Sequence, residues 1–332
     1  MKQIKTILLG IFLCLPFFAF AKEAAVNEAD YSITIFYNDT AAPGDAVFVR
    51  MKFSQQGKKN KVSKEEFSST TGRLELSLDG KILRYADFYV IEDAKSKNSL
   101  TLLAGIPLSS WWTEGTDFKL TAKYNLYGKK QYELDLPFSL VHKDFVSETI
   151  ELDARNTSIK TDTSTTRMTQ IDRLNEILYT INTAGVYQTE SYTPPTTATR
   201  RTSFFADRRV YQYTNGKSST SLHYGIDYGI PKGSDVRACA KGKVVLAESR
   251  VSTGWSVVIE HLPGLYSLYY HMDELKVKEG DMVNEGDLIG LSGMTGLATG
   301  PHLHWEMRLN TVPVNPDYFC QDFTFSSVEN QN

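Results

Sequence analysis

Cysteine and histidine are both scarce in this chain. Of its 332 residues, 3 are cysteine and 6 are histidine. Two of the cysteines, Cys239 and Cys320, lie in the second half, and neither belongs to a CxxC pair, so a thiol-redox role is excluded. A disulfide between these two residues and a pair of buried free thiols are both open interpretations.

Long apolar runs and a basic surface are missing as well. After the first 21 residues no segment is apolar enough to span a bilayer, which excludes a transmembrane segment in the mature chain. The 36 basic residues are outnumbered by 39 acidic ones, for a formal charge of −3. Because no basic stripe is visible either, we expect no nucleic-acid partner.

The N-terminal segment has the features of a secretory signal. Lysines precede an apolar run from Ile7 to Phe20, and a small-x-small sequence ends it. The run is interrupted by Pro16 and is too short for a membrane anchor. We therefore predict a signal peptide over residues 1–21 and a mature chain that begins near Lys22. That chain is exported, to the periplasm or cell envelope or, alternatively, by full secretion.

The region 22–145 alternates apolar and polar residues over short stretches. One of them runs from Val47 to Phe53, and turn signals such as Asp79-Gly80 and Tyr127-Gly128 lie between others. This pattern predicts an immunoglobulin-like antiparallel β-sandwich. No catalytic constellation is visible in it, so we expect a spacer or a docking module for a protein partner.

The region 146–201 is rich in Ser, Thr and charged residues, as linkers are. Its apolar residues at helical spacing are Ile171, Leu174, Ile177, Leu178 and Ile181. We predict a linker with one helix that ends by Gly185. From 202 to 320 strand patterns and Gly-containing turns return, which predicts a compact antiparallel β domain, followed by a tail over 321–332. The expected fold class is mainly β.

Two of the six histidines are one residue apart in the stretch TGPHLHWEM. If this stretch is a strand, His302 and His304 share one face with their Cα atoms about 7 Å apart. Leu303, Trp305 and Met307 then point the other way, into a core. Two imidazoles on one strand face favour metal binding.

Two further motifs contain histidine or aspartate residues that can bind a metal or transfer a proton. His223 and Asp227 are four apart in LHYGIDYG, where two glycines oppose a helix. A fully extended chain would separate them by about 13 Å, too far for both to bind one ion, and Gly225 between them can supply the bend or bulge that closes the distance. His271 lies in the alternating stretch LYSLYYHM. A catalytic zinc site takes three protein ligands, and the two residues in excess suit proton transfer and charge stabilisation.

These motifs resemble, in order and context, the lysostaphin-type (LytM-like) zinc endopeptidases that cut peptide bridges in bacterial peptidoglycan. The similarity covers roughly residues 203–316 and includes IPKGSDVRA, VKEGDMVNEGDLIG and GMTGLATGPHLHWE. The resemblance implies a C-terminal antiparallel β-sheet peptidase domain, one Zn²⁺ per chain and peptidoglycan stem peptides as substrate. It implies that His223, Asp227 and His304 bind the zinc ion.

The same resemblance assigns the remaining site residues. His271 and His302 flank the water and the substrate carbonyl as general base and oxyanion donor, and the sequence leaves open which does which. Tyr269 either lines the cleft or packs in the core. Arg208 is a candidate substrate contact, in a segment, SFFADRR, that has Ala206 where the family's Ser-x-Phe-Gly-x-Arg has glycine.

Three other functions compete with this one. Related domains that have lost ligands regulate other wall hydrolases, but here all five positions are present; the region from Phe145 to Thr202 is nevertheless long enough to cover the site. A biotinyl-carrier-like module would share the Gly-Asp turns, but the expected Met-Lys-Met is missing. A structural zinc domain would need a fourth ligand, for which cysteine is favoured, and both cysteines lie away from the motifs.

Overall fold

The computed structural model describes residues 22–27, 31–56, 63–91, 99–321 and 323. The signal peptide predicted over residues 1–21 and nearly all of the tail predicted over 321–332 lie outside the described residues. The chain divides into two compact units, residues 1–143 and 144–332. Among the described helices, none has the length and apolar character needed to cross a membrane.

Strands dominate the first unit. Its described elements are β1 (Lys22–Asn27), β2 (Tyr31–Tyr37), β3 (Thr40–Ala41), β4 (Ala46–Gln55), α1 (Lys64–Ser68), β5 (Thr71–Leu78), β6 (Lys81–Asp87), β7 (Tyr89–Ile91), β8 (Ser99–Pro107), β9 (Lys119–Leu126), β10 (Lys130–Leu136) and β11 (Ser139–Leu140). One sheet has the order β1-β2-β4-β8-β7 and a second has the order β10-β9-β5-β6, while β11 pairs with β3.

Both larger sheets contribute side chains to one hydrophobic cluster. Its members include Ile33, Ile35, Val49 and Met51 from the first sheet and Leu74, Leu76, Leu120 and Ala122 from the second. The predicted turn at Asp79-Gly80 joins β5 to β6, and both residues have positive φ, 49° and 76°, as a tight hairpin turn requires. Because apolar residues alternate along the strands, each sheet has one apolar face, and the two apolar faces share one core. The immunoglobulin-like assignment stays a prediction.

The second unit is built on a large sheet. Its described elements are β12 (Ser147–Glu151), α2 (Ala154–Thr161), α3 (Thr165–Tyr179), β13 (Arg201–Ser203), β14 (Arg208–Gln212), β15 (Ser218–Leu222), β16 (Gly225–Tyr228), β17 (Asp235–Arg237), β18 (Gly242–Arg250), β19 (Gly254–Leu262), β20 (Leu265–Leu275), β21 (Met282–Val283), β22 (Leu288–Ser292), β23 (Leu303–Leu309), β24 (Val312–Val314) and α4 (Pro316–Gln321).

The main path of this sheet runs β13-β16-β23-β20-β19-β18-β21. In addition, β22 pairs with β17 and β20, and β24 pairs with β23. A separate three-stranded sheet has the order β12-β14-β15, in which β12 and β14 run parallel. All pairings in the large sheet are antiparallel, and the prediction of a mainly β chain with a C-terminal antiparallel sheet is confirmed.

The region 146–201, for which the composition predicts a linker, lies within the second unit and is paired and packed there. The predicted helix is α3, capped by the Ser164 side chain, which accepts a hydrogen bond from the Arg167 N–H. It ends at Tyr179, so Ile181 lies beyond it and is exposed. A second helix, α2, was not predicted, because the residues it buries are the polar Asn156 and Thr157.

One face of α3 packs onto the large sheet. Leu174, Ile177 and Leu178 lie against a cluster of Leu246, Val258, Tyr266, Leu268 and Tyr270 from β18, β19 and β20. The hydroxyl of Tyr266 also donates to the Thr180 carbonyl oxygen at 2.6 Å. Burial of this apolar stripe anchors the segment on the large sheet.

Both cysteines are free thiols in the structure, Cys239 buried and Cys320 half-buried. The disulfide that their number allowed is therefore absent from it. Burial raises the pKa of the Cys239 thiol to about 12, which keeps it protonated and inert. This residue contributes to the core rather than to chemistry.

His261 is fully buried beside Cys239. Its Nδ1–H donates to the Lys241 carbonyl at 2.8 Å, which leaves Nε2 to accept from the Ser267 hydroxyl at 2.7 Å. Burial lowers the pKa of His261 to about 4. This histidine belongs to the core and not to the cleft.

His261 should make the second unit sensitive to acid. Between pH 6.5 and pH 4 an unfolded chain binds a proton that the folded chain does not, so the free energy of unfolding falls as the pH falls through this window. Between pH 7 and pH 4, the free energy of unfolding of a His261→Gln variant should fall by about 3 kcal/mol less than that of the parent chain. Urea unfolding followed by circular dichroism measures the difference.

The control is His142→Gln, which alters an exposed histidine of the first unit. It should leave the pH dependence unchanged. If the His261 and His142 variants lost the same stability on acidification as the parent chain, the buried neutral imidazole would not be the cause.

Candidate metal centre and active site

His223, Asp227 and His304 meet at one buried point. Their nearest ligand atoms lie 3.1 Å apart for His223 Nε2 and Asp227 Oδ1, 2.7 Å for His304 Nδ1 and the same oxygen, and 3.0 Å between the two imidazole nitrogens. Three donors this close surround a space that suits a small divalent ion, since metal–ligand bonds of about 2.0–2.2 Å separate neighbouring ligands by about 3 Å. The three ligands that the resemblance implied are brought together.

The pairing of β16 with β23 brings these residues together. Asp227 lies directly opposite His304 in the register, and Gly225 lies opposite Glu306. A Cβ atom on Gly225 would approach the Trp305 carbonyl oxygen to 2.2 Å. The glycine is therefore needed for close backbone approach, and its φ is not positive. His223 precedes β16, and its N–H donates to the Asp207 carbonyl at 2.9 Å.

Each ligand is held on its far side by a different partner. The His223 Nδ1–H donates to the Phe204 carbonyl at 2.8 Å, which leaves Nε2 for a metal. The second oxygen of Asp227 accepts from Arg209 at 3.0 Å. His304 Nε2 lies 3.0 Å from a carboxylate oxygen of Glu306, which leaves Nδ1 for a metal. This is the outer shell expected around a metal, and the residues fit one.

Charge in this cluster is balanced within it. Arg308 donates to Glu306 at 2.7 Å, and although burial opposes the shift, Arg308 and His304 lower the pKa of Glu306 to about 2. Burial also acts to raise the pKa of Asp227, but His223 and His304 hold it well below its usual range. Both carboxylates are therefore ionised, as ligand and second-layer acceptor must be.

Sequence reasoning missed Glu306 and Arg308. The signal was present, because residues 302, 304, 306 and 308 alternate along β23 and so share one face. The opposite face was predicted correctly, since Leu303, Trp305 and Met307 are fully buried.

His271 and His302 lie beside the donor set, with ring centroids 4.7 Å apart. Each is fixed through Nδ1: His271 donates to the Thr295 carbonyl at 2.7 Å and His302 to the Gly300 carbonyl at 2.8 Å. Both therefore keep the Nε2 lone pair available, and His302 Nε2 lies 3.8 Å from Asp227 Oδ1. The two imidazoles are placed and oriented for proton transfer near a metal-bound water.

Tyr269 does not line the cleft. It is fully buried, and its hydroxyl accepts from the Cys239 N–H at 2.9 Å. Strict alternation would put it on the same face as His271, but His271 has a φ of 62° and the pairing of β20 shifts register nearby. Tyr270 takes the place near the site instead, with its ring stacked on that of His304 at 5.4 Å.

Arg208, the candidate substrate contact, is not among the residues that line the cleft. Its guanidinium donates to the Ala206 carbonyl at 3.0 Å and lies over the Phe145 ring at 4.5 Å. The next residue, Arg209, contacts Asp227 and also donates to Glu148 of β12 at 2.7 Å. Ala206 has a φ of 64°, a left-handed conformation in which glycine is favoured, which explains the glycine in the family's motif.

A cleft of about 710 Å³ opens onto these residues. Its walls include Glu148, Ile150, Leu152 and Lys160 from the region before β13, together with Arg200, Arg209 and Tyr211. The site is thus reached from solvent, and part of its wall comes from the predicted linker. A buried His-Asp-His donor set with two free imidazoles in an open cleft defines the class of metal-dependent hydrolases.

Comparison with known proteins agrees with this class. The sequence profile of peptidase family M23 matches residues 221–316. The chain is 45% identical over 95 residues to the DD-carboxypeptidase/endopeptidase Mpg of Neisseria meningitidis, covering 29% of this chain and 22% of the relative. It is 38% identical over 116 residues to the peptidoglycan DD-endopeptidase ShyA of Vibrio cholerae, covering 35% and 26%.

The chain thus spans about a quarter of the length of these curated relatives. A crystal structure from Pseudomonas aeruginosa, of a protein assigned to peptidase M23, aligns with a TM-score of 0.52 over 85% of this chain and 96% of that one, at 19% identity. That likeness shows a shared fold.

Gly225→Ala should disrupt the donor set, because the added Cβ clashes with the backbone of β23. Affinity for Zn²⁺ or Co²⁺, measured by competition with a chromophoric chelator, should fall at least about 10-fold. The control is Gly300→Ala, since nothing lies within 4 Å of a Cβ at Gly300. Equal metal affinity in the two variants would contradict the close-approach role of Gly225.

Arg209→Met should free the outer oxygen of Asp227 and lower metal affinity by about 10- to 100-fold. Arg209→Lys should recover only part of it, since an ammonium cannot span Asp227 and Glu148 as a guanidinium does. Arg201→Met is the matched control, because Arg201 pairs with Asp317 instead. Metal affinity of Arg209→Met within twofold of the control would show that Arg209 does not position the ligand.

Proposed function

We propose that this protein is an exported zinc-dependent endopeptidase that hydrolyses peptide cross-links of bacterial peptidoglycan during cell-wall remodelling. The observation that carries the proposal is the convergence of His223, Asp227 and His304, each with its outer partner, beside two imidazoles that present Nε2. The names of two relatives, both endopeptidases, support the substrate class.

Three residues would bind the metal, and two would transfer protons. His223, Asp227 and His304 would hold Zn²⁺, which when bound supplies a Lewis acid and lowers the pKa of its water towards about 7. One of the two imidazoles, His271 or His302, would accept the water proton through Nε2 and return it to the leaving amine, while the other, when protonated at Nε2, would donate to the developing oxyanion. Because both rings carry their proton on Nδ1, either one can act as the general base.

The location and partners follow from the sequence. The signal peptide predicted over residues 1–21 would direct the chain to the periplasm or cell envelope, where stem peptides of peptidoglycan are present. We propose that the first unit serves as a spacer or as a docking module for a protein partner.

A regulatory function is the second candidate. One observation favours it: Glu148, Ile150, Leu152 and Lys160, all from the region between Phe145 and Thr202, contribute to the cleft wall. A segment in that position can narrow access to the metal site and so inhibit cleavage. A self-inhibited protein of this kind would act by binding and activating other wall hydrolases.

The two candidates differ in the products of a digest. The chain from Lys22, loaded with Zn²⁺, should convert cross-linked peptidoglycan dimers to monomers, and a zinc chelator should abolish this conversion. His304→Ala should lower the rate at least about 10³-fold, because the ion loses one of three ligands. Mass spectrometry of the released peptides measures the loss of dimers and identifies the bond that is cut.

Chelator-resistant cleavage, or an unchanged rate in His304→Ala, would contradict a metallopeptidase. A zinc-loaded chain that releases nothing, while a chain starting near Thr202 does, would indicate self-inhibition. Lys217→Met serves as the control variant, since Lys217 is exposed in the turn between β14 and β15.

A further inference from the structure

Lys160 lies on the wall of the active-site cleft, although α2 is outside the residues that match the family profile. The position of α2 beside the cleft is fixed by two contacts. Asn156 Nδ2 donates to the Ala298 carbonyl at 3.2 Å, and Arg155 donates to the Gly296 carbonyl at 3.0 Å. Ala298 is itself part of the cleft lining. These contacts of α2 therefore fix the position of Lys160 at the cleft.

The surroundings of Lys160 are cationic and aromatic. Its ammonium lies 4.1 Å from the centroid of the Tyr211 ring. Burial lowers the pKa of Lys160, and the neighbouring Arg167 and Arg209 lower it further. Within the part of the chain that the structure describes, no carboxylate forms an ion pair with this ammonium.

The carboxylates of the cleft wall are engaged elsewhere. Arg209 binds both Glu148 and Asp227. Glu306 accepts from Arg308 and lies against His304. A half-buried ammonium without a counter-ion is unfavourable, and a cation–π contact with one tyrosine offsets only part of its lost hydration. Among the described residues, the Lys160 ammonium therefore has no anionic partner in the cleft.

Arg200 adds a second positive charge to the cleft lining. Over the described ranges of the chain, its guanidinium makes one long contact, 3.5 Å, to the Gly229 carbonyl. A ligand group bound beside Lys160 would be negatively charged and able to accept several hydrogen bonds, as a carboxylate does.

We infer that Lys160, in a cleft that Arg200 also lines, forms a subsite that binds a free carboxylate of the peptide substrate. The inference rests on the proposed function for the identity of the substrate, a stem peptide, but the anion site itself rests on the contacts above. It makes Lys160 a specificity-determining residue that places the peptide relative to the metal centre. Peptides whose carboxylates are amidated would be disfavoured at this subsite.

The test is a binding measurement that needs no turnover. An uncross-linked stem tetrapeptide with free carboxylates, and the same peptide with those carboxylates amidated, are titrated by calorimetry into the zinc-loaded full chain. The parent chain should bind the carboxylate form at least about 10-fold more tightly. Lys160→Met should remove this preference by weakening binding of the carboxylate form alone, and Lys160→Arg should retain it within about threefold.

Lys217→Met is the matched control, because Lys217 is exposed in the turn between β14 and β15. It should bind both peptides as the parent chain does. If Lys160→Met does not fold, Lys160→Gln, which keeps a polar end, takes its place in the same titration. Equal binding of the two peptides by the parent chain, no binding of either, or an unchanged preference after loss of the lysine would overturn the inference.

Cleavage assays on the same preparations separate this inference from the proposed function. For the free-carboxylate cross-linked substrate, Lys160→Met should raise KM about 10-fold with kcat within twofold. A chain that binds the carboxylate peptide through Lys160 but cuts no cross-link would reject the endopeptidase function and leave the anion subsite standing.

Discussion

The close pairing of β16 with β23 is the contact on which the site depends. It sets Asp227 opposite His304, and it is possible only because Gly225 has no side chain to meet the Trp305 carbonyl. A shift of one residue would turn the ligands to the other face of the sheet. The core behind β23, formed by its alternate apolar residues, fixes that register, so the metal site and the hydrophobic core are specified by the same strand.

Around this contact lies a second layer that reaches beyond the family-matched segment. Phe204 and Arg209, which hold His223 and Asp227, precede residue 221, and Glu148 comes from the strand before them. The region 144–212 is thus structurally part of the active-site unit. Its strands β12 and β14 and helix α2 supply part of the cleft wall, and Arg209 of β14 orients a ligand.

Much of this was predictable from the sequence, where residue periodicity and motif spacing are local signals. The shared face of His302 and His304 followed from strand alternation alone. The sequence left two positions open for Tyr269, cleft or core. It packs in the core because the positive φ of His271 breaks that alternation, which composition cannot reveal. Arg209, which contacts Asp227, was not predicted, since nothing in the sequence fixes which of two adjacent arginines faces the ligands. The pairing of β12 with β14 is non-local and left no signal beyond a short polar segment.

The central claim is that three donors on the paired strands and the turn before them hold one ion. Anomalous diffraction from crystals of the zinc-loaded chain, recorded on both sides of the zinc edge, tests it most directly. The account predicts one strong peak in this unit, at about 2.0–2.2 Å from His223 Nε2, Asp227 Oδ1 and His304 Nδ1, with Glu306 and Arg209 outside the coordination sphere. A peak ligated by Glu306, by Cys239 or by only one of the three donors would contradict it.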